Sequence, residues 1–202
     1  SNVMLFDISN NTLSGTIPSE IGSLASVFGL YLYWNQLTGR IPTELGRLTS
    51  ASIDIEMNHL TGTLPTEVGQ MIFSGHLLMM DNNLTGFLPS ELGKMISLKS
   101  LGLTGNNLSG PIPSELGRMV SLKILGLNRN NLSRSIPVEL ANLNQLLMMG
   151  LWNNRLTGQI PTELGNMRSL YDFSARNNTL TGKIPSGKSF PMFAIASCLK
   201  FD

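Results

Sequence analysis

Cysteine, histidine and charge are all scarce in this sequence of 202 residues. Cys198 is the single cysteine, so no internal disulfide and no cysteine-based metal site can form, and cysteine usage says nothing of redox compartment. His59 and His76 are the only histidines, and no repeated pattern holds a serine, aspartate or cysteine beside either as a nucleophile and base would require. Charged residues make up 13% of the chain, with 14 Lys and Arg against 13 Asp and Glu and a net charge of +1. A basic stripe is missing and the pI is near 7.9, which excludes the electrostatic footprint of a nucleic-acid binder. No apolar run approaches the length of a membrane span, and Ser1 to Asn10 has neither the basic start nor the apolar stretch of a signal peptide. Neither GxxxxGK[ST] nor GxGxxG occurs, so no nucleotide site and no cofactor is expected. What remains is 42% hydrophobic with a mean hydropathy of +0.10, enough to bury a core.

The sequence repeats. An Ile-Pro or Leu-Pro pair recurs at Pro18, Pro42, Pro65, Pro89, Pro113, Pro137, Pro161 and Pro185, always 24 residues apart except for one step of 23. A leucine stands five residues before each of these prolines, from Leu13 to Leu180, and an asparagine stands seven before, from Asn11 to Asn178. Eight equivalent backbone environments follow, named here repeats one to eight by their prolines.

Each unit reads alike. In repeat six, Leu125 and Leu127 alternate as in a short strand with Leu122 before it. Asn130 then turns the chain, its amide able to satisfy backbone groups that an irregular turn leaves unpaired. Pro137 suits the first position of a helical turn, with Glu139 favourably placed near its start. Gly22, Gly46, Gly69, Gly93, Gly117 and Gly165 close this turn in other repeats, as a positive φ would require. One such unit cannot bury its apolar side alone, so the units must stack, with eight strands forming an arc of roughly 38 Å. One residue is missing near Ser50, and Ser50 and Ser74 occupy the first leucine position of repeats three and four, where stability should dip. In repeat six Arg134 and Ala141 replace glycines.

Units such as LTGRIPTELGRL (Leu37 to Leu48) and SLKSLGLTGNNLSGPIPSELGRM (Ser97 to Met119) resemble plant-type leucine-rich repeats of the pattern LxxLxLxxNxLxGxIPxxLGxL. The resemblance implies an α/β solenoid: a right-handed superhelix of about eight 24-residue repeats, with a parallel β-sheet on the concave face and short helical turns on the convex face. It further implies a non-catalytic module that binds a protein or peptide ligand as the extracellular part of a receptor-like kinase or receptor-like protein, with a co-receptor or a polysaccharide as further partners. A secreted inhibitor or cell-wall-associated binding protein is the alternative, and an ice-binding solenoid a third. Such proteins carry paired-cysteine caps, which this sequence lacks, so a fragment-like array over residues 1–185 is expected, with the tail from residue 186 to Asp202 as an irregular cap.

On a concave sheet the outward positions include Phe28, Tyr31, Tyr33 and Trp34 in repeat two, His76, Leu78 and Met80 in repeat four, and Trp152 in repeat seven. All three tyrosines and both tryptophans, Tyr171 among them, fall on this face, and aromatic anchors dominate binding energy. Asp54 and Glu56, with Asp7 and Asp81, make its first half acidic, whereas Lys99, Lys123, Arg129 and Arg176 make its second half basic. We expect the partner to contact Phe28, Tyr31, Tyr33, Trp34, Asp54, Glu56, His76, Leu78, Met80, Trp152 and Arg176. The Glu20-to-Glu163 column is expected to be structural, relieved by Arg47, Lys94 and Arg118 three residues on. Asn10, Asn83, Asn107, Asn131 and Asn177 head N-x-[ST] sequons and are glycosylation candidates. An unbroken hydroxyl column, Ser14 to Thr181, matches the Thr arrays of ice-binding faces, but turn backbone groups are its more economical use.

Overall fold

A computed structural model describes residues 3–185. The expected capping tail and Cys198 lie outside the described residues. Each repeat contributes one strand to an eight-stranded parallel sheet whose order follows the sequence: Leu5–Asp7, Gly29–Tyr31, Ser52–Asp54, His76–Leu78, Ser100–Gly102, Ile124–Gly126, Met148–Gly150 and Asp172–Ser174. The register pairs Phe6, Leu30, Ile53, Leu77, Leu101, Leu125, Met149 and Phe173 in one inward column. From Leu30 to Phe173 this column is buried, and it meets further stacks such as Leu45, Leu92, Leu116 and Leu140 from the helical turns.

Those turns are five-residue 3-10 helices, for example Thr43–Arg47 and Ser114–Arg118. Proline is the extended residue before the helix, with φ near −68° and ψ near 138° at Pro42, and not its first helical residue. Its carbonyl accepts the first bond, from Leu45 N–H at 3.1 Å. The glycines that follow do not have positive φ, contrary to the sequence reading. A Cβ on Gly46 would fall on the Glu67 carbonyl oxygen of the next repeat, and one on Gly93 on that of Glu115, so glycine is there for close approach between turns. Ala141 breaks this rule, and the following turn differs: ψ is 99° at Met167, where the preceding turns have 54° to 69°. The glutamates do not pair with Arg47, Lys94 or Arg118. Except at Glu139, which follows Val138, their carboxylates accept bonds from the preceding hydroxyls, as from Thr43 to Glu44 at 3.2 Å, and among the described residues the one ion pair is Asp81–Arg129.

A second sheet, which the sequence reading missed, follows the asparagine turn. It joins Thr61–Thr63, Asn83–Phe87, Asn107–Gly110, Asn131–Arg134, Arg155–Gln159 and Thr179–Thr181, with Ser14–Thr16 paired to Gln36–Thr38 beside it. The hydroxyl column lies here and works internally: Thr38, Thr61 and Thr85 donate to the carbonyls of Gly15, Gly39 and Gly62 at 3.1, 3.3 and 3.3 Å. The positive φ belongs to these glycines, and Arg134 adopts it at 69° in place of one. The missing residue also moves. Ser50 is exposed and Ala51 fills the inward slot, so the deletion removes the outward residue that follows. Ser74 fills the same slot in repeat four, fully buried, its hydroxyl without a hydrogen-bond partner.

Between the two sheets runs the asparagine ladder. Asn106 Oδ1 accepts the Leu84 N–H at 3.0 Å, while Nδ2 donates to the carbonyls of Met79, Leu103 and Thr104 at 3.0, 3.2 and 3.4 Å. Two of these groups belong to the preceding repeat, so one side chain fastens two turns. Replacing Asn106 by leucine leaves these groups buried without partners and should lower unfolding free energy in urea by about 3 kcal/mol or more. Ser74→Ala removes an unpaired buried hydroxyl and should raise it by about 1 kcal/mol in the same assay.

Candidate functional site

The inner sheet presents one open face, and how the chain leaves it shapes the site. The residue before each ladder asparagine is left-handed in all eight repeats: Asn10, Trp34, Met57, Asp81, Gly105, Arg129, Asn153 and Asn177, with φ between 48° and 70°. This bend aims the asparagine inward. Asparagine and glycine adopt it at little cost, whereas tryptophan and methionine are strained there by about 1–2 kcal/mol. Trp34 and Met57 are nonetheless 54% and 43% exposed, in adjacent repeats. Met57 and the left-handed column were not recognised in the sequence, although that column always precedes the ladder asparagine.

Two shallow depressions mark the face. The first, about 470 Å³, is lined by Tyr31, Tyr33, Asp54, Glu56, His76 and Leu78, among others. Tyr31 reaches back over Gly29, where a Cβ would come 3.1 Å from its ring. The Asp54 carboxylate accepts the Glu56 N–H at 3.2 Å, yet partial burial raises its pKa. Burial also raises the pKa of Glu56, reinforced by the charges of Asp54 and Asp81. One Glu56 carboxyl oxygen is buried without a hydrogen-bond partner. Asp7 is held below its usual range by the Ser9 hydroxyl at 2.7 Å and the Ser9 N–H at 3.0 Å.

The second depression, about 440 Å³, spans the middle strands. Its floor is Gly102, Gly126 and Gly150, in register on three adjacent strands. Side chains of preceding repeats lean over the space these glycines leave, and Thr104 donates to Asn128 Oδ1 at 3.0 Å beside them. Met80 stands at one end and Trp152 at the other, with the Arg176 guanidinium 4.8 Å from the Trp152 ring centroid. Asp81 and Arg129 meet at 3.2 Å across repeat five, over Gly105.

The expected contact residues therefore form two clusters and not one patch. Phe28, Tyr31, Tyr33, Trp34, Asp54, Glu56, His76, Leu78 and Met80 gather on repeats two to four, while Trp152 and Arg176 stand on repeats seven and eight, with Leu78 and Met80 leading from one depression to the other. The glycine floor was legible as LGL in two successive units and MGL in the third but was not recognised. The sequons also divide. Asn83, Asn107 and Asn131 lie on adjacent strands of the second sheet, and Asn10 and Asn177 lie in the left-handed column, Asn177 donating to Asn153 Oδ1 at 2.8 Å. Among the described residues no three His, Cys, Asp or Glu side chains converge as metal ligands, and no helix is long and apolar enough to cross a membrane.

A parallel solenoid with one open, aromatic and charged face is a scaffold for recognition. The Leucine Rich Repeat family matches residues 2–24, 97–119, 121–143 and 145–167. The chain carries leucine-rich repeats and is similar in structure to plant receptor-kinase ectodomains. It superposes on the ectodomain of the Arabidopsis thaliana membrane receptor kinase GASSHO1/SCHENGEN3, solved with CASPARIAN STRIP INTEGRITY FACTOR 2, with TM-score 0.88 and 39% identity over 95% of this chain and 22% of that one. The Arabidopsis HAESA ectodomain, solved with an IDA peptide hormone, gives TM-score 0.84 and 31% identity over 89% and 30%. A plant ice-binding protein gives TM-score 0.66 and 24% identity over 90% and 74%, a likeness of fold alone. The chain thus spans about a quarter of the length of the receptor ectodomains it matches. No curated protein matches it.

A raised carboxyl pKa in the folded state means stability that is present below the unfolded pKa and lost as pH rises through the folded one. Glu56→Gln should therefore raise the thermal midpoint relative to the parent chain at pH 7, and the gain should vanish as pH falls to about 4, near the ordinary glutamate value. A gain that persists unchanged at low pH would show that charge is not its cause.

Proposed function

We propose that the inner face is a non-catalytic recognition surface for a peptide or protein ligand, and that the chain is the ligand-reading part of an extracellular receptor-like kinase or receptor-like protein. The observation that carries this reading is the pair Trp34 and Met57, two exposed hydrophobes kept in a left-handed conformation that the fold itself would rather give to asparagine or glycine. Strain of this kind persists where a side chain serves something other than folding. The likeness to ectodomains solved with peptide ligands supports the same assignment. A co-receptor and a polysaccharide are further partners of such a surface. A secreted inhibitor or wall-associated binding protein would use the same face.

The ice-binding reading has less support. Thr38, Thr61, Thr85, Ser109 and Thr181 of its column donate to glycine carbonyls, and the columns beside them mix His59, Phe87, Arg155 and Lys183 into what would have to be a regular plane.

Trp34→Asn separates recognition from folding. It should stabilise the chain by about 1 kcal/mol in urea unfolding through relief of backbone strain. Affinity for a ligand selected on the parent chain should fall at least about tenfold in calorimetry. Unchanged affinity removes Trp34 from the site. If the chain passes through the secretory pathway, glycans at Asn83 and Asn107, exposed and clear of the inner face, should leave ligand affinity unchanged. Mass spectrometry before and after enzymatic deglycosylation, paired with binding by both forms, checks this.

A further inference from the structure

The recognition surface just proposed is electrically polar along the solenoid axis. On the five outward columns of the inner face, repeats one to four carry Asp7, Asp54, Glu56 and Asp81 and no lysine or arginine. Repeats five to eight carry Lys99, Lys123, Arg129 and Arg176, with Asp172 as the single carboxylate. Asp81 and Arg129 neutralise each other where the halves meet, and Arg176 lies on Trp152. Half-buried Asp54 and Glu56 on one side, and exposed Lys99 and Lys123 on the other, have no partner of opposite sign within ion-pair distance among the described residues. Between these pairs the surface is apolar, formed by Leu78 and Met80 of repeat four, which cover Gly102.

We infer that the ligand is an extended peptide that runs obliquely across the strands and places a basic side chain on Asp54 and Glu56 and an acidic side chain on Lys99 and Lys123. The inference rests on the peptide reading above and specifies its chemistry. The basic group would also bring a donor to the one region of the face where carboxylates crowd each other out of full solvation, so binding relieves a repulsion that the free chain sustains. Spacing sets the pattern. Lys123 is three strands from Asp54, about 14 Å at about 4.8 Å per strand, and by the register three residues nearer the strand start, about 10 Å, so the charges stand about 17 Å apart, or about five residues of extended chain.

The test is a selection of displayed random peptides of about ten residues, long enough to cross the face at about 3.4 Å per residue, on the full 202-residue chain. Enriched sequences should carry a basic and an acidic residue separated by about four to six positions, and their affinity should fall with added salt. For the best of them, Asp54→Asn with Glu56→Gln should weaken binding at least about tenfold, and swapping the acidic and basic residues of the peptide should not be rescued on that variant. The double change Glu56→Lys with Lys123→Glu should invert the charge pattern selected relative to the strand order. Because Glu56→Lys could impair folding, the neutralising pair gives the decisive result if circular dichroism shows the inverted variant unfolded. Peptides that enrich and depend on Trp34 but show no charge separation overturn the polarity and leave the recognition surface standing. Failure to enrich any peptide on a folded chain overturns the peptide reading and the polarity with it. Association of the chain with itself through this face, seen by sedimentation and abolished by the neutralising pair, would reassign the polar surface to a second copy and likewise overturn the inference.

Discussion

The asparagine ladder is the contact on which the rest of the solenoid depends. A repeat of 24 residues must bend out of the inner strand and into the second sheet, and the bend strands several backbone groups in the interior where water cannot reach them. Asn58 shows the solution: its Oδ1 takes the Leu37 N–H at 2.9 Å, and its Nδ2 serves the carbonyls of Leu32, Ile55 and Glu56 at 3.1, 3.2 and 3.1 Å. Neither a hydroxyl nor a carboxylate offers both the paired donors and an acceptor in that compass. Because half of these partners lie in the preceding repeat, the ladder couples neighbours as well as closing each turn, which is what gives a one-dimensional array its cooperativity.

The second constraint is the distance between turns. At a strand spacing of about 4.8 Å, the helical turns on the far side have no room for a side chain between them. Gly22, Gly46, Gly69, Gly93 and Gly117 leave the gap that the next repeat's glutamate backbone fills. The two constraints act on opposite sides of the core and fix the step of the solenoid from both edges. This also explains why the turn is a short 3-10 helix: five residues, entered from a proline that lacks an N–H, cross the far side without needing an internal donor at their start.

Most of the architecture was legible because it is written eight times. Prolines, leucines and asparagines at a constant step leave no other fold that satisfies them, and the inner strand follows from Leu122, Leu125 and Leu127. What escaped was everything that a single unit does not announce. The second sheet has short strands with glycine in them and no apolar alternation of its own, so it looks like loop until its neighbours stack. The turn glycines were given the wrong reason, since a residue type alone does not say whether φ or a neighbour's backbone demands it. Of the site, the outward aromatics and the two charged halves were visible from column positions. Their division into two clusters, the glycine floor between them and the strained Trp34 and Met57 needed the register and the dihedral angles.

The departures that reach the inner sheet fall together, whereas Arg134 and Ala141 of repeat six lie in the second sheet and the helical turn. Ala51 and Ser74 stand in the column that Leu98, Leu122, Leu146 and Leu170 fill, and they immediately precede the strands that carry Asp54 and His76. The core is therefore thinnest beneath the strands where carboxylates crowd and beside the repeats where Trp34 and Met57 are bent against their preference. In a fold where each repeat meets only its neighbours, such costs stay local, and the well-packed repeats on the far side hold the frame. An unpaired buried hydroxyl, raised carboxyl pKa values and left-handed hydrophobes are each a conflict between local chemistry and the fold. Their coincidence in repeats two to four is what a region kept for contact with something else would show, since a region kept for stability alone would have leucine, asparagine and glycine in those places.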